Sequence, residues 1–439
     1  MLYTGMFLAA SLSPLGSTMI AVALPSIGRE LGITSGSLTQ WLVTSYLIVG
    51  IAAMSPGGKL GDMIGHRKGL ALGMTIYGVG SAAGFVFATL PSLAVARIAM
   101  AAGGAMSVPA TMALLRNIVP EDKRPRTFGY FGAVMGTAAA IGPLLGGELT
   151  ARFGWRSIFL ANIPVILLAY AMLHFAGVPI AEPASSPKRI PRFDIEGSLL
   201  LGGALTLLVV ASRASSSIAL WSGSAGVALL AIFVAWERRA AEPVLDLRLY
   251  LRRSFAAAST VIGLQNLAMY AMLFQLPIFF EQVRGIAPGV TGRAVIGMML
   301  AMVVFAPIGG RLSERFGVRN TVFAGTLASL GGVYLIGNFS LLQAPPDALA
   351  GLILMGTGLG LSSAPSQAAA MNSVARNEAG MAGGAISTAR YIGGIIGIST
   401  LGYLLASNTG VASHSAAALV YGAALVVAAF AALVLPGRK

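Results

Sequence analysis

Long stretches of apolar and small residues alternate with short polar punctuation along the whole chain, and they are too long for buried strands or the core helices of a soluble fold. They run, to within a few residues at each boundary, over residues 4–24, 39–57, 69–89, 92–115, 128–150, 157–177, 196–212, 219–236, 255–280, 293–312, 320–338, 346–366, 380–405 and 416–436. A helix of about 20 apolar residues crosses a bilayer. The pattern predicts an all-α integral membrane protein with 14 transmembrane helices. Met1 to Leu24 holds no Lys or Arg and leads straight into further apolar chain, so it reads as the first span and not as a cleavable signal.

Composition agrees. Of 439 residues 56% are hydrophobic and 10% charged, with a mean hydropathy of +0.81, whereas a soluble chain carries about a quarter charged residues. The lipid bilayer is therefore the main partner, and large extramembrane domains are excluded. The absence of cysteine removes disulfides, thiolate metal sites, iron–sulfur clusters and thiol nucleophiles. His66, His174 and His414 are too scattered for a metal site, so neither metal nor cofactor is expected. The net charge of +14 does not imply a nucleic-acid partner, because the cations punctuate apolar runs and form no solvated face or tail.

The cations carry topology instead. With both termini on one face, the loops after even-numbered spans and the C-terminus hold 21 Lys and Arg, against six (Arg29, Arg152, Arg156, Arg213, Arg284 and Arg293) after odd-numbered spans. That asymmetry places both termini in the cytoplasm. Arg97 and Arg390 are left inside spans.

The chain repeats itself. Gly58-Lys59-Leu60-Gly61-Asp62-Met63-Ile64-Gly65-His66-Arg67-Lys68 follows span 2, and Gly310-Arg311-Leu312-Ser313-Glu314-Arg315-Phe316-Gly317-Val318-Arg319 follows span 10, an offset of 252; Gly129 and Gly383 repeat at 254. Two parallel six-helix units follow, residues 1–178 and 254–439, separated by a cytoplasmic linker and two inserted spans over residues 179–253. Parallel six-span repeats are a transporter architecture with the solute path between the halves. The Pro- and Arg-rich stretch Pro179 to Asp194 reads as flexible linker.

The repeated loop combines turn glycines, an acid near a helix N-terminus and cytoplasmic cations, which suits a gate made in one conformer and broken in another. For the cations alone a positive-inside turn is the simpler account, but repetition of the whole pattern favours the gate, comprising Gly58, Asp62, Gly65, Arg67, Lys68, Glu314, Arg315 and Arg319. Span 5 carries Gly132, Gly136, Gly142, Pro143, Gly146 and Gly147, a closely packed hinge helix bent at the proline.

These residues resemble the major facilitator superfamily, and within it the fourteen-span drug:proton antiporters, across essentially the whole chain. The Gly58 to Lys68 loop is similar to that superfamily's inter-helix motif, and Gly136 through Gly142-Pro143 to Gly146-Gly147 to its antiporter motif. Gly154-Trp155-Arg156-Ser157-Ile158-Phe159 with Asn162 and Pro164, and Trp236-Glu237-Arg238-Arg239 with Glu242, Pro243 and Asp246, extend the likeness. Arg97, with Gly103, Gly104 and Pro109, matches the span-4 pattern, where the resemblance implies a part in proton coupling; snorkelling to an interface is the alternative. The chain departs from the pattern in lacking an acid before Thr18 and in having Met100 where relatives often have Gln.

No carboxylate lies in mid-span; Glu148 and Glu281, at outer span ends, are the candidates for loading protons, with ordinary rim acids as the alternative. Thr18, Gln40, Tyr46, Gln265, Asn266, Tyr270, Gln367 and Arg390 are candidates for an apolar, aromatic substrate path with a few orienting polar groups, or else helix-to-helix contacts. The resemblance implies a monomeric secondary transporter of the bacterial inner membrane that expels hydrophobic or cationic toxic compounds against protons by alternating access. The missing first-span acid keeps uniport or metabolite uptake open, and a non-transporting sensor or assembly partner is the rival of another class. No enzymatic arrangement is visible: there is no acid pair, Ser/His set, nucleotide loop or metal spacing.

Overall fold

The computed structural model describes residues 1–120, 124–176, 194–211, 216–240, 243, 245–374, 379–405 and 410–437. The linker expected at 179–193 lies outside the described residues, as do the side chains of Gln40 and Asp62.

The long helices are α1 (Leu2–Leu31), α2 (Ser45–Ile64, entered through a π-helical turn at Thr39–Thr44), α3 (His66–Val86), α4 (Leu90–Ile118), α5 (Arg124–Phe153), α6 (Asn162–Phe175, after one turn at Ser157–Leu160), α7 (Ile195–Ala211), α8 (Ser216–Glu237), α9 (Arg253–Gln282), α10 (Pro288–Phe316), α11 (Val318–Gly337), α12 (Leu349–Asn372), α13 (Ala379–Leu404) and α14 (Val411–Ala432). Every regular element among the described residues is a helix, as lipid demands of a chain that must satisfy its own backbone. Ten helices among the described residues are long and apolar enough to cross a membrane, and two shorter apolar helices cover Trp41–Met54 and Glu196–Ala211. The expectation of 14 spans is thus matched in part: α2, α5, α7 and α13 are not among the ten, the run of α2 being divided by the π-helical turn and α7 having only 17 residues.

Two groups of helices share one packing pattern. In the first, α1 packs on α4, α5 and α6 while α2 and α3 pack on α4; in the second, α9 packs on α12, α13 and α14 while α10 and α11 pack on α12. Helices α7 and α8 pair with each other, and α7 leans on α2. Helix prolines repeat as well: Pro25, Pro56 and Pro109 answer to Pro277, Pro307 and Pro365. Pro143 has no such partner, since Ile395 stands at the matching place in α13.

The repeated motif is not the loop that the sequence suggests. Residues 58–64 and 310–316 are the last turns of α2 and α10, and the whole reversal is made by one residue, Gly65 (φ 91°) or Gly317 (φ 86°), before the next helix starts. Only a residue without Cβ adopts that conformation at little cost. Because the turn is so short, α3 returns close along α2, and a Cβ on Gly69 would sit 3.0 Å from the Cα of Gly61.

Helix α5 is held on two sides. A Cβ on Gly142 would lie 1.9 Å from Thr18 Oγ1, and one on Gly146 would lie 2.5 Å from the Met19 carbonyl oxygen, so these two glycines admit α1. On the other side a Cβ on Gly292 of α10 would lie 2.6 Å from the Pro143 carbonyl oxygen and 3.4 Å from the Gly147 Cα, while Gly136 faces Val303 at 3.8 Å. The small residues of the α5 motif therefore serve contacts both within the first group and across to the second.

Gly142→Val should push α5 off α1 and destabilise the protein by about 1–3 kcal/mol, the usual cost of overpacking, whereas Gly384→Ala, whose Cβ would meet nothing within 4 Å, should be nearly neutral. Thermal unfolding of both variants in detergent micelles checks this; equal melting temperatures would contradict the packing described.

Candidate functional site

Charge is excluded from the middle of the molecule. Every acidic residue in a described helix lies within five residues of a helix end, and so does every cation except two, Arg97 of α4 and Arg390 of α13. A single arginine at mid-depth of a span costs about 3 kcal/mol on insertion scales, so each requires a local account.

Arg97 is 1% exposed and faces inward, which removes the snorkelling alternative. Its Nε donates to the Leu42 carbonyl at 2.9 Å and its Nη1 to the Gly16 carbonyl at 3.1 Å, and its guanidinium carbon lies 4.0 Å from the centre of the Tyr46 ring. The Leu42 carbonyl belongs to the π-helical turn before α2, whose irregular hydrogen bonding aims it at Arg97. Tyr77 completes the surroundings: its hydroxyl donates to the Leu12 carbonyl at 2.7 Å, in space that exists because residue 16 is glycine. Carbonyl dipoles and a ring face replace the counterion, and Nη2 is left buried without a hydrogen-bond partner.

Arg390 is held differently. It is half-buried, and its Nη2 lies 3.5 Å from Gln367 Oε1 of α12. Tyr270 lies against Gly394, one turn beyond Arg390 in α13, and Tyr391 meets Ser13 and Tyr46 of the first group at the seam between the two groups. Ser13, Tyr46, Gly50, Gly104 and Tyr391 line a small cavity on that seam.

Ion pairs join the two groups at one end of the molecule. Arg29 at the end of α1 binds Glu281 at the end of α9 at 2.5 Å, Ser26 donates to the same carboxylate at 3.2 Å, and the Glu281 side chain is 5% exposed. Arg293 of α10 binds Glu148 of α5, which Arg152 also reaches at 3.2 Å. The family-like run after α5 stays inside the first group, where Trp155 Nε1 donates to Glu30 at 2.7 Å and Arg156 pairs with Glu30 at 3.0 Å. The exposed pairs of Glu148 and Glu30 contribute about 0–1 kcal/mol each, so they can break and re-form, whereas parting the buried Glu281 carboxylate from Arg29 requires that it be hydrated or protonated.

The expected path residues divide. Tyr46 joins Arg97, and Tyr270, Gln367 and Arg390 gather near one another. Thr18 is instead buried at the α1–α5 contact with its hydroxyl bonded back to Pro14, and Gln265 ties α9 to Thr326 of α11 and Ser362 of α12, so both hold helices together. Asn266 donates to its own helix at Ile262. Among the expected gate residues, Lys68 and Glu314 are exposed, Arg315 lies over Phe316, and Arg319 donates to the Leu435 carbonyl at 2.9 Å. The sequence reading missed Tyr77, Tyr391 and the pairing of the rim acids. Arg29 and Arg293, cations on the cation-poor face, were the available signal for the last.

The chain has clear relatives. It is 32% identical over 415 residues to the MFS-type transporter YvkA of Bacillus subtilis, covering 93% of this chain and 91% of the relative. It is 33% identical over 404 residues to the multidrug resistance protein Stp of Mycobacterium tuberculosis, covering 90% and 73%. The crystal structure of the human organic anion transporter MFSD10 (TETRAN) shares the fold, with a TM-score of 0.64 at 14% identity over 98% of both chains. The family model described as Major Facilitator Superfamily matches residues 6–398 and, in a second match, residues 263–438. A chain whose described regular elements are all helices, in two like-packed groups with the acids of those helices kept near their ends, and whose relatives are transporters over nine-tenths of its length, is a membrane transporter and no enzyme, and it belongs to the Major Facilitator Superfamily.

Proposed function

We propose that this transporter exports hydrophobic small molecules in exchange for protons by alternating access. In this reading residues 1–178 and 254–439 are two rocking bundles and residues 179–253 are the insertion between them, giving 14 spans in a bacterial inner membrane with both termini cytoplasmic and the chain acting as a monomer. The observation that carries it is the closed end: Arg29–Glu281 and Arg293–Glu148 join the two groups by ion pairs on the face that the cation count makes the outer one.

The roles follow. Opening the outer face frees Glu148 and Glu281 to exchange protons with the outside, and Arg97, fixed to α1 and α2, rides with the first bundle as the charge against which proton binding is felt. Gly136, Gly142, Pro143, Gly146 and Gly147 let α5 stay on α1 while it rolls on α10. Gly58, Asp62, Gly65, Arg67, Lys68, Glu314, Arg315 and Arg319 sit at the opposite end, on and around the two one-residue turns, and form the cytoplasmic gate in the outward-open state. A second reading, uniport, is favoured by one observation: no described helix has a carboxylate in its middle.

With no cysteine in the sequence, the double variant R152C/R293C, whose two positions meet across the seam at Glu148 and which keeps both acids, carries the only two thiols. A short bismaleimide added to it should stop solute flux, while the untreated variant keeps transporting; unchanged flux after verified crosslinking contradicts alternating access. In everted vesicles, collapse of the proton gradient should abolish accumulation of substrate, and accumulation that survives the collapse would favour uniport. Ser340→Cys should react with an impermeant maleimide in intact spheroplasts and Ser186→Cys only after lysis; the reverse order would invert the topology.

A further inference from the structure

Resting on that transport reading, we propose that the central site takes aromatic organic anions, and that Arg390, with Gln367 and Tyr270 beside it, receives the anionic group.

The charge inventory comes first. Between the helix ends the described residues hold two arginines and no acid, so a solute midway across meets a field of one sign. The low-dielectric surroundings strengthen that field. A cationic compound would meet repulsion there; an anion would not.

The two arginines differ in how far the protein satisfies them. Arg97 is enclosed by two carbonyls and the Tyr46 ring inside the first group. Arg390 is only half-buried and has one long contact, 3.5 Å, to an amide oxygen. A guanidinium offers five N–H donors in a planar fork that matches a carboxylate or sulfonate. Among the described residues nothing acidic answers that fork.

Its position suits a solute. Tyr391, the next residue along α13, lines the small cavity on the seam together with Ser13 and Tyr46, so this turn of α13 comes to where the two groups meet. Tyr270, against Gly394 one turn along, and Tyr391, in the seam cavity, offer ring faces and hydroxyls, which favour a flat aromatic solute over a small inorganic ion.

The test uses two dyes with the same xanthene ring system and opposite charge, anionic fluorescein and cationic rhodamine 6G. Binding to the full chain in lipid nanodiscs is read by fluorescence anisotropy. The intact protein should bind fluorescein at least about tenfold more tightly than rhodamine 6G, the scale of one charge-assisted contact. Arg390→Gln should erase that preference and Arg390→Lys should keep most of it. Gln367→Glu, which sets an acid beside the guanidinium without removing it, should erase it too and serves if Arg390→Gln does not fold. Equal or tighter binding of rhodamine 6G by the intact protein overturns the proposal, as does a preference that survives Gln367→Glu. The two readings fail separately: rhodamine 6G carried in preference would sink the anion site and leave the transporter standing, while an Arg390-dependent preference without flux of either dye would sink the transport reading and leave the site.

Discussion

Lipid accepts neither a bare charge nor an unpaired backbone group, and the rest of the structure depends on that constraint. It makes every described element a helix, drives acids and most cations to helix ends, and leaves Arg97 and Arg390 as the exceptions. Each exception is costly, and the protein meets the two costs in opposite ways. Arg97 is walled in by carbonyls that an irregular turn and a glycine bring to it. Arg390 is left partly open beside tyrosines on the seam between the two helix groups.

The two kinds of contact across that seam have different physical characters. The contact of α5 with α10 is backbone against backbone, at Gly292 with Pro143 and Gly147, and rests on dispersion between small residues that need no fixed register. The ion pairs at the rim are directional; those of Glu148 are solvated and individually weak, while the Glu281 carboxylate is buried. In the proposed alternation, a smooth backbone surface capped by a few polar links is one across which large elements can move without breaking a packed core.

Much of the architecture was legible in the sequence, because the length of an apolar run and the placement of cations are set directly by the bilayer. The repeat was legible too, yet its structural meaning was not: Gly58 to Lys68 reads as a loop because it is polar, whereas in three dimensions the helix continues to Ile64 and one glycine turns the chain. Among polar residues in spans, type alone could not separate contact from path. Gln265 and Gln367 look alike in sequence, but one bridges Thr326 and Ser362 inside the second group while the other is exposed near Arg390. That difference depends on which face of the helix is turned to which neighbour, and no hydropathy pattern encodes it when both faces are apolar. Ion pairs between residues far apart in the chain, such as Arg29 with Glu281, depend on the docking of helices and were invisible for the same reason.

The attachment of Arg319 has a mechanical corollary. Its side chain holds the Leu435 carbonyl and its backbone N–H holds that of Pro436 at 3.2 Å, so the first turn of α11 and the chain just beyond α14 are clamped together. Any tilt of α11 about Gly317 is then handed on to residues 435–437 as a lever hands on a push, and a fluorophore or fusion partner mounted there would both report that tilt and weigh on it.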